Sequence, residues 1–77
     1  MQEEMFLKYL AEILEVNAEQ LKMQTEFRRA TEEWDSIKGF AIIVMLQENY
    51  GHDISVADFL LCSTIGDLFA RISKGAS

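Results

Sequence analysis

The sequence predicts an all-α fold: a four-helix bundle with three longer helices, one short third helix and a long loop between helices one and two. Three observations lead to this prediction. The chain of 77 residues contains no proline, the residue that interrupts helix interiors. Its apolar residues recur at the spacing of a helix face, and its predicted helix starts carry capping residues. Because a chain this short buries only one small core, we expect residues 1–77 to form a single domain.

The first helix is predicted over residues 2–15. Glu3 and Glu4 lie in its first turn, where the helix dipole favours negative charge. Apolar side chains recur at intervals of three and four residues and form one stripe: Met5, Phe6, Tyr9, Leu10, Ile13 and Leu14. This stripe gives the first helix a face for the core.

A turn and a long loop follow the first helix. Asn17 and Gln20 have the spacing of a capping box, which predicts a short helical turn around residues 18–22. Over residues 23–35 the apolar periodicity fades and the charge rises, so we predict a long ordered loop. Three apolar side chains are expected to pin this segment to the core: Leu21, Phe27 and Trp34.

The second helix is predicted to begin at Asp35 or Ser36 and to run to Tyr50, where Gly51 supplies a left-handed stop. Residues 40–46 are apolar without a break, so this helix has two apolar faces. The face expected to meet the core consists of Ile42, Ile43, Leu46 and Tyr50. The opposite face consists of Ile37, Phe40 and Val44. Either the preceding loop or a partner protein covers that second face.

Two further capping signatures predict the last two helices. The pairs are Ser55 with Asp58 and Thr64 with Asp67. The first pair predicts a short third helix over about residues 56–61. The second pair predicts a final helix over about residues 64–73. The apolar stripe of the final helix is Ile65, Leu68, Phe69 and Ile72.

Composition and charge exclude several function classes. The 7 basic and 13 acidic residues give a net charge of −6, which argues against nucleic acid as a partner. Arg28 and Arg29 form too short a basic run to change this, and we expect both to be solvated loop residues. No apolar run approaches the ~20 residues of a membrane span, and the acidic first residues do not resemble a secretory signal. We therefore expect a cytoplasmic protein without membrane insertion.

Metal and redox sites have equally little support. The chain has one cysteine, Cys62, and one histidine, His52, so neither an internal disulfide nor a metal site is expected. We interpret Cys62 as a small core residue and His52 as a solvated turn residue. No hydrolase motif surrounds Ser36, and we identify no catalytic residue.

Ser36 lies where an anion can be bound. At the start of the second helix the backbone N–H groups lack partners, and the positive end of the helix dipole stabilises a group such as a phosphodiester. Taken alone, this position is more simply explained by Asp35 or Ser36 as an N-cap, since aspartate and serine are among the most common caps. We interpret the acidic cluster of Glu32, Glu33 and Asp35 as a solvated stretch.

The segment Asp35-Ser36-Ile37 precedes a long apolar helix that ends at Tyr50 and Gly51. This arrangement resembles the acyl carrier protein family, whose attachment motif is Asp-Ser-Leu or Asp-Ser-Ile at the start of the second helix. Other elements agree with the family in order and spacing: residues 13–21, Thr25-Glu26-Phe27, Ile54 and residues 64–68. The resemblance extends over nearly the whole chain and implies one acyl-carrier-like domain.

By this resemblance, Ser36 bears a 4′-phosphopantetheine that a phosphopantetheinyl transferase takes from coenzyme A, and Asp35 belongs to the same cofactor-binding site. The prosthetic thiol would hold an acyl group as a thioester, so the resemblance implies a carrier and not an enzyme. It also implies a monomer that meets acyl-loading, condensing or transferase enzymes. The expected partner-binding residues are Ile37, Phe40, Ala41, Val44 and Glu48.

The pathway stays open at the level of sequence. Lys38 and Glu48 are the charged residues of the second helix, whereas carriers for fatty-acid synthesis usually have an acid-rich second helix. Fatty-acid synthesis and a polyketide or other specialised acyl pathway are both open, and a discrete peptidyl or aminoacyl carrier is an alternative. A helical protein-interaction module without a cofactor is the alternative from another class.

Overall fold

The structure is a computed structural model that describes residues 2–75. Within that range four α-helices follow one another: α1 (Gln2–Leu14), α2 (Ser36–Tyr50), α3 (Val56–Leu61) and α4 (Ile65–Gly75). Two 3₁₀ turns, Ala18–Gln20 and Phe27–Arg29, lie between α1 and α2. The all-α prediction is confirmed, including the short third helix and the long connection between the first two.

The core receives side chains from every helix and from the long connection. Among the buried residues are Phe6, Leu10, Leu14, Leu21, Phe27, Ile42, Leu46, Phe59, Ile65 and Leu68. Trp34 is half-buried and packs against this core. Leu21, Phe27 and Trp34 therefore pin the connection as predicted, and their burial fixes the segment that leads into α2.

Backbone hydrogen bonds join the long connection to the start of α4. The N–H of Ile65 donates to the carbonyl of Thr25 at 2.9 Å, and the N–H of Gly66 donates to the carbonyl of Met23 at 2.7 Å. These N–H groups belong to the first turn of α4, where no intrahelical acceptor exists. A Cβ atom at residue 66 would lie 3.1 Å from the Met23 oxygen, so glycine permits this close approach.

The structure corrects the prediction for the segment after α1. Asn17 precedes the 3₁₀ turn, but its side chain makes no capping hydrogen bond. The N–H of Gln20 donates instead to the backbone carbonyl of Asn17 at 3.0 Å. This backbone bond is typical of a 3₁₀ turn. It engages the N–H group that would otherwise donate a hydrogen bond to a capping side chain. The helical turn is therefore shorter than predicted and ends at Gln20.

α2 is buried on one side. Its expected core face is buried or half-buried: Ile42, Ile43, Leu46 and Tyr50. Gly39 and Met45 are buried as well, which the sequence pattern did not predict. On the opposite face Val44 is half-buried, but Ile37 is 76% exposed and Phe40 is 67% exposed. The preceding loop therefore does not cover Ile37 and Phe40, and that interpretation was wrong for both.

The two predicted capping pairs at α3 and α4 both form. The Ser55 hydroxyl accepts the N–H of Asp58 at 3.0 Å. At α4 the Thr64 hydroxyl accepts the N–H of Asp67 at 3.1 Å, and the Asp67 carboxylate accepts the N–H of Thr64 at 3.0 Å and that of Ser63 at 2.9 Å. These N–H groups of Thr64 and Ser63 stabilise the ionised carboxylate and lower the pKa of Asp67 below its ordinary value.

The Asp67 cap leads to a predicted pH dependence of stability. Because folding lowers this pKa, the cap stabilises the fold above the pKa of an unfolded aspartate, about 3.9. The stabilisation is lost as the pH falls below that value towards the folded pKa. We expect the melting temperature to fall further between about pH 6 and about pH 3 in the wild type than in Asp67→Asn, whose side chain does not titrate. Circular dichroism melts measure both falls, and equal falls would contradict this role.

Candidate functional site

Asp35 defines the start of α2. Its backbone is extended, with φ −150° and ψ 177°, and its Oδ1 accepts the N–H of Lys38 at 2.9 Å. Asp35 is therefore the N-cap, and Ser36 is the first helical residue. The structure thus selects between the two helix starts that the sequence left open. It also gives the Asp35 carboxylate a defined role, since capping holds the first turn of α2 in place.

Ser36 lies at the exposed N-terminal end of α2. Its side chain is exposed, and within residues 2–75 its hydroxyl makes no hydrogen bond. The N–H groups of Ser36 and Ile37 have no intrahelical acceptor, because they lie in the first turn of α2. The Asp35 side chain caps the N–H of Lys38 and leaves these two groups uncapped. The hydroxyl is thus accessible at the positive end of a helix that spans fifteen residues, Ser36–Tyr50.

A groove of about 650 Å³ adjoins Ser36 between α2 and α3. We call it the α2–α3 groove. Its lining consists of Arg28, Trp34, Asp35, Ser36, Ile37, Gly39, Phe40, Ile43, Val56, Phe59 and Leu60. A Cβ atom at residue 39 would lie 3.4 Å from the rings of both Trp34 and Phe59. Glycine therefore brings these two rings close to the α2 backbone, and they form an apolar part of the groove next to Ser36.

Arg28 joins the long connection to α3. Its guanidinium donates to the carbonyls of Phe59, at 3.1 Å, and Cys62. The same group lies over the rings of Phe27, 4.6 Å from the centroid, and Phe59, 5.2 Å from the centroid. The carbonyls at the end of α3 carry partial negative charge, so a cation is stabilised there. The prediction of a solvated loop residue was therefore wrong for Arg28, although Arg29 has an 81% exposed side chain.

Lys38 is tied to the end of α1. Its Nζ lies 3.8 Å from Glu15 Oε2, and its side chain is only 13% exposed. Glu15 has a left-handed backbone, with φ 61°, which ends α1 and directs the chain into the connection. The positive charge that follows Ser36 in sequence is consequently turned towards α1. This pair was not predictable from sequence, because its members are far apart along the chain.

The predicted partner-binding residues lie along two grooves. Ile37 and Phe40 line the α2–α3 groove. Ala41, Val44 and Glu48 line a different, shallower depression of about 420 Å³ between α2 and α1. They share the outer side of α2, but the structure divides them between its two edges. The α3 residues of the first groove were missed, because a six-residue helix shows too little periodicity to reveal an exposed side.

Two further findings concern membrane and metal sites. Among the described residues, no helix has the length and apolar character needed to cross a bilayer. Residues 2–75 also contain no group of three or more His, Cys, Asp and Glu side chains placed to hold a metal ion. Cys62 is buried, as predicted, and burial raises the pKa of its thiol.

The site thus combines an exposed hydroxyl, a positive helix end and an adjoining apolar groove. A sequence model of the family described as the phosphopantetheine attachment site matches residues 6–72. The chain belongs to this family. A comparison with curated proteins gives no significant match.

Membership of the phosphopantetheine attachment site family establishes the class of function. The domain is a site of covalent 4′-phosphopantetheine attachment, so the chain is a phosphopantetheine-carrying protein. Carrier domains of this family interact with the enzymes that modify them and with biosynthetic enzymes, and they are normally not catalysts. The resemblance to acyl carrier proteins that the sequence suggested is confirmed at this level.

The residues present fit the cofactor. A phosphodiester linkage needs an accessible hydroxyl and is stabilised by unpaired N–H groups at a helix start, and Ser36 meets both conditions. Other hydroxyls of the phosphopantetheine carrier have structural tasks: those of Ser55 and Thr64 accept capping hydrogen bonds. Attachment at either of these two would remove a helix cap.

Proposed function

We propose that this chain is an acyl carrier protein in which the Ser36 hydroxyl bears the 4′-phosphopantetheine. In the attachment reaction the hydroxyl gives up its proton and its oxygen bonds to the phosphorus nearest the pantetheine in coenzyme A. The P–O bond within the diphosphate breaks, and adenosine 3′,5′-bisphosphate leaves. When bound, the group supplies a terminal thiol that holds an acyl chain as a thioester. The observation that carries this assignment is the exposed position of Ser36 as the first residue of α2.

The neighbouring residues support the attachment without taking part in bond making. Asp35 fixes the first turn of α2 through its bond to the N–H of Lys38. The N–H groups of Ser36 and Ile37 stabilise the negative charge of the phosphodiester. The Lys38 ammonium remains paired with Glu15. Cofactor binding in this chain therefore depends mainly on backbone groups.

The chemistry of the exposed α2 surface supports a proposal for the pathway. The outer side of α2 offers Ile37 and Phe40 to a partner, while Lys38 and Glu48 are the charged residues of this helix. This composition favours a polyketide or other specialised acyl pathway over general fatty-acid synthesis. A discrete peptidyl or aminoacyl carrier is the second candidate, because the same nearly uncharged helix suits it equally.

The proposed partners are a phosphopantetheinyl transferase and the enzymes that load, condense or transfer the cargo. Ile37, Phe40, Ala41, Val44 and Glu48 are the proposed contact residues on α2. We place the protein in the cytoplasm as a monomer. A helical interaction module without cofactor has lost its support, because the family that the chain belongs to is defined by phosphopantetheine attachment.

Incubation of the purified chain with coenzyme A and a broad-specificity phosphopantetheinyl transferase tests the proposal. Intact-protein mass spectrometry is expected to show a gain of one phosphopantetheine, because the hydroxyl is accessible in the folded chain. A second known carrier protein in the same reaction controls for transferase activity. If the control is loaded and this chain is not, the proposed function is contradicted.

A further inference from the structure

Arg28 places a positive charge in the wall of the α2–α3 groove. Of the described residues that line this groove, Arg28 is the one base and Asp35 is the one acid. Most of the remaining lining is hydrocarbon or aromatic ring, including the rings of Trp34 and Phe59. A half-buried guanidinium is poorly hydrated in such surroundings, so its charge must be stabilised by other groups.

The domain does not neutralise this charge. Within residues 2–75 Arg28 forms no ion pair with a carboxylate. Asp35 instead accepts the N–H of Lys38 as the cap of α2, and Asp58 on α3 is paired with Arg71. The carbonyls at the end of α3 and the adjacent aromatic rings stabilise the cation. Because those groups carry no net charge, the groove keeps an excess positive charge.

The guanidinium also has hydrogen-bond donors left for a ligand. It carries five N–H groups in a planar fork, and two of them donate to the carbonyls of Phe59 and Cys62. These two bonds and the ring of Phe27, whose centroid lies 4.6 Å from Arg28 Cζ, hold the group in one orientation. A fixed guanidinium with unused donors is suited to a carboxylate, because the two groups match in planar geometry.

The proposed attachment point lies on the same groove. Ser36 and Arg28 both line it, so a cargo on the arm has access to the guanidinium. The phosphodiester of the arm is a less suitable partner for Arg28. Its charge is stabilised by the uncapped N–H groups at the start of α2, and the bonds to α3 keep the guanidinium where it is. A carboxylate on the cargo itself is therefore the complementary anion.

We propose that Arg28 selects acyl cargoes that end in a carboxylate, which its guanidinium binds in the α2–α3 groove. This inference rests on the proposed function, and it narrows the cargo to one chemical class. A hydrocarbon cargo would contact the apolar lining but leave the guanidinium without a counter-ion. An aminoacyl cargo carries an ammonium group, which Arg28 would repel. Arg28 is then a specificity-determining residue that takes no part in bond making.

The reaction of the loaded thioester with hydroxylamine tests this selectivity. A broad-specificity transferase loads the chain from glutaryl-coenzyme A or from 5-methylhexanoyl-coenzyme A, in which two methyl groups replace the carboxylate oxygens. Arg28→Gln is expected to accelerate loss of the glutaryl group at least about threefold, because a cargo freed from its charge-assisted bonds is no longer shielded in the groove. Loss of the 5-methylhexanoyl group should change by less than about 1.5-fold, because it makes no such bond.

Arg29→Gln is the matched control. Arg29 is the neighbouring arginine, but its side chain is 81% exposed and it is not among the groove-lining residues. Both thioesters should react at their wild-type rates in this variant. NMR of the wild type gives a second readout that requires no variant, and it stays decisive if Arg28→Gln unfolds. The Arg28 Nε–H signal should differ between the glutaryl-loaded and the 5-methylhexanoyl-loaded chain.

Three outcomes would overturn this role of Arg28 and leave the proposed function intact. Equal acceleration of both thioesters in Arg28→Gln would show that Arg28 only holds α3 in place. Unchanged rates together with identical Nε–H signals would show that the cargo does not contact Arg28. A shift of that signal that is already complete on attachment of the unloaded cofactor would identify the phosphodiester as the bound anion. A chain that takes up neither acyl group, while a known carrier is loaded, would instead contradict the proposed function itself.

Discussion

The Ser36→Ala variant is expected to gain no phosphopantetheine at all when incubated with coenzyme A and a transferase. Ser36 is the exposed hydroxyl at the first position of α2, and alanine lacks the oxygen that forms the phosphodiester. The loss should be complete and not partial, because no other side chain can take the same position. Intact-protein mass spectrometry of variant and wild type in parallel measures it.

Ser63→Ala is the matched control for the Ser36 variant. Ser63 is also exposed and lies just before a helix, α4. Its role in capping α4 is that of its backbone N–H, which donates to the Asp67 carboxylate. Its hydroxyl can therefore be removed without loss of that bond, and loading should match the wild type. Modification of Ser36→Ala, or loss of modification in Ser63→Ala, would contradict the assignment of Ser36.

The Phe27→Ala variant is expected to be destabilised by about 3–5 kcal/mol, the usual cost of removing a buried phenylalanine ring. Phe27 is fully buried, and its ring centroid lies 5.8 Å from that of Trp34 and 5.5 Å from that of Phe59. It also supports the Arg28 guanidinium. A domain of this kind is stabilised by only about 5–15 kcal/mol in total, so the substitution removes a large share of the unfolding free energy. Urea unfolding measures the change.

Phe27→Leu serves as the control for this substitution. Leucine keeps an apolar side chain in the cavity, so we expect a clearly smaller loss of unfolding free energy than in Phe27→Ala. Because the long connection positions Asp35 and Ser36, the alanine variant should also be a poorer transferase substrate in proportion to its unfolded fraction. A change below about 1 kcal/mol for Phe27→Ala would show that this ring does not anchor the connection.

The helices and their ends were predictable because their signals are local. Gly51 follows α2 with a left-handed φ of 63°, which glycine adopts without strain. The two members of each capping pair, at α3 and at α4, lie three residues apart in sequence, so a short pattern reveals them. Asn17 shows the limit of such patterns. The spacing was suitable, but the segment closes through a backbone bond of a 3₁₀ turn instead.

The contacts that shape the candidate site were not predictable, because their partners are distant along the chain. Arg28 donates to carbonyls 31 and 34 residues away, and Lys38 reaches Glu15 at the end of another helix. Both arginines of the connection look equivalent in sequence, yet only Arg28 is engaged with α3. Tertiary packing decides which of two such side chains is engaged, and the residue pattern of a single sequence contains no periodic signal for that packing.

The position of Ser36 itself was predictable. The sequence places it beside a cap, before a long apolar helix, and the structure adds that Asp35 is the cap and that the serine is exposed. What the sequence did not reveal is the α2–α3 groove beside it. That groove depends on how the short helix α3 packs, which local patterns do not determine.

Mass spectrometry of the protein purified from its native host tests the central claim most directly. Fragmentation of the intact chain or of its peptides locates any added group. The account predicts one 4′-phosphopantetheine, with or without an acyl cargo on its thiol, attached to Ser36. A chain that is entirely unmodified in the host, or one that carries the group on a residue other than Ser36, would contradict it.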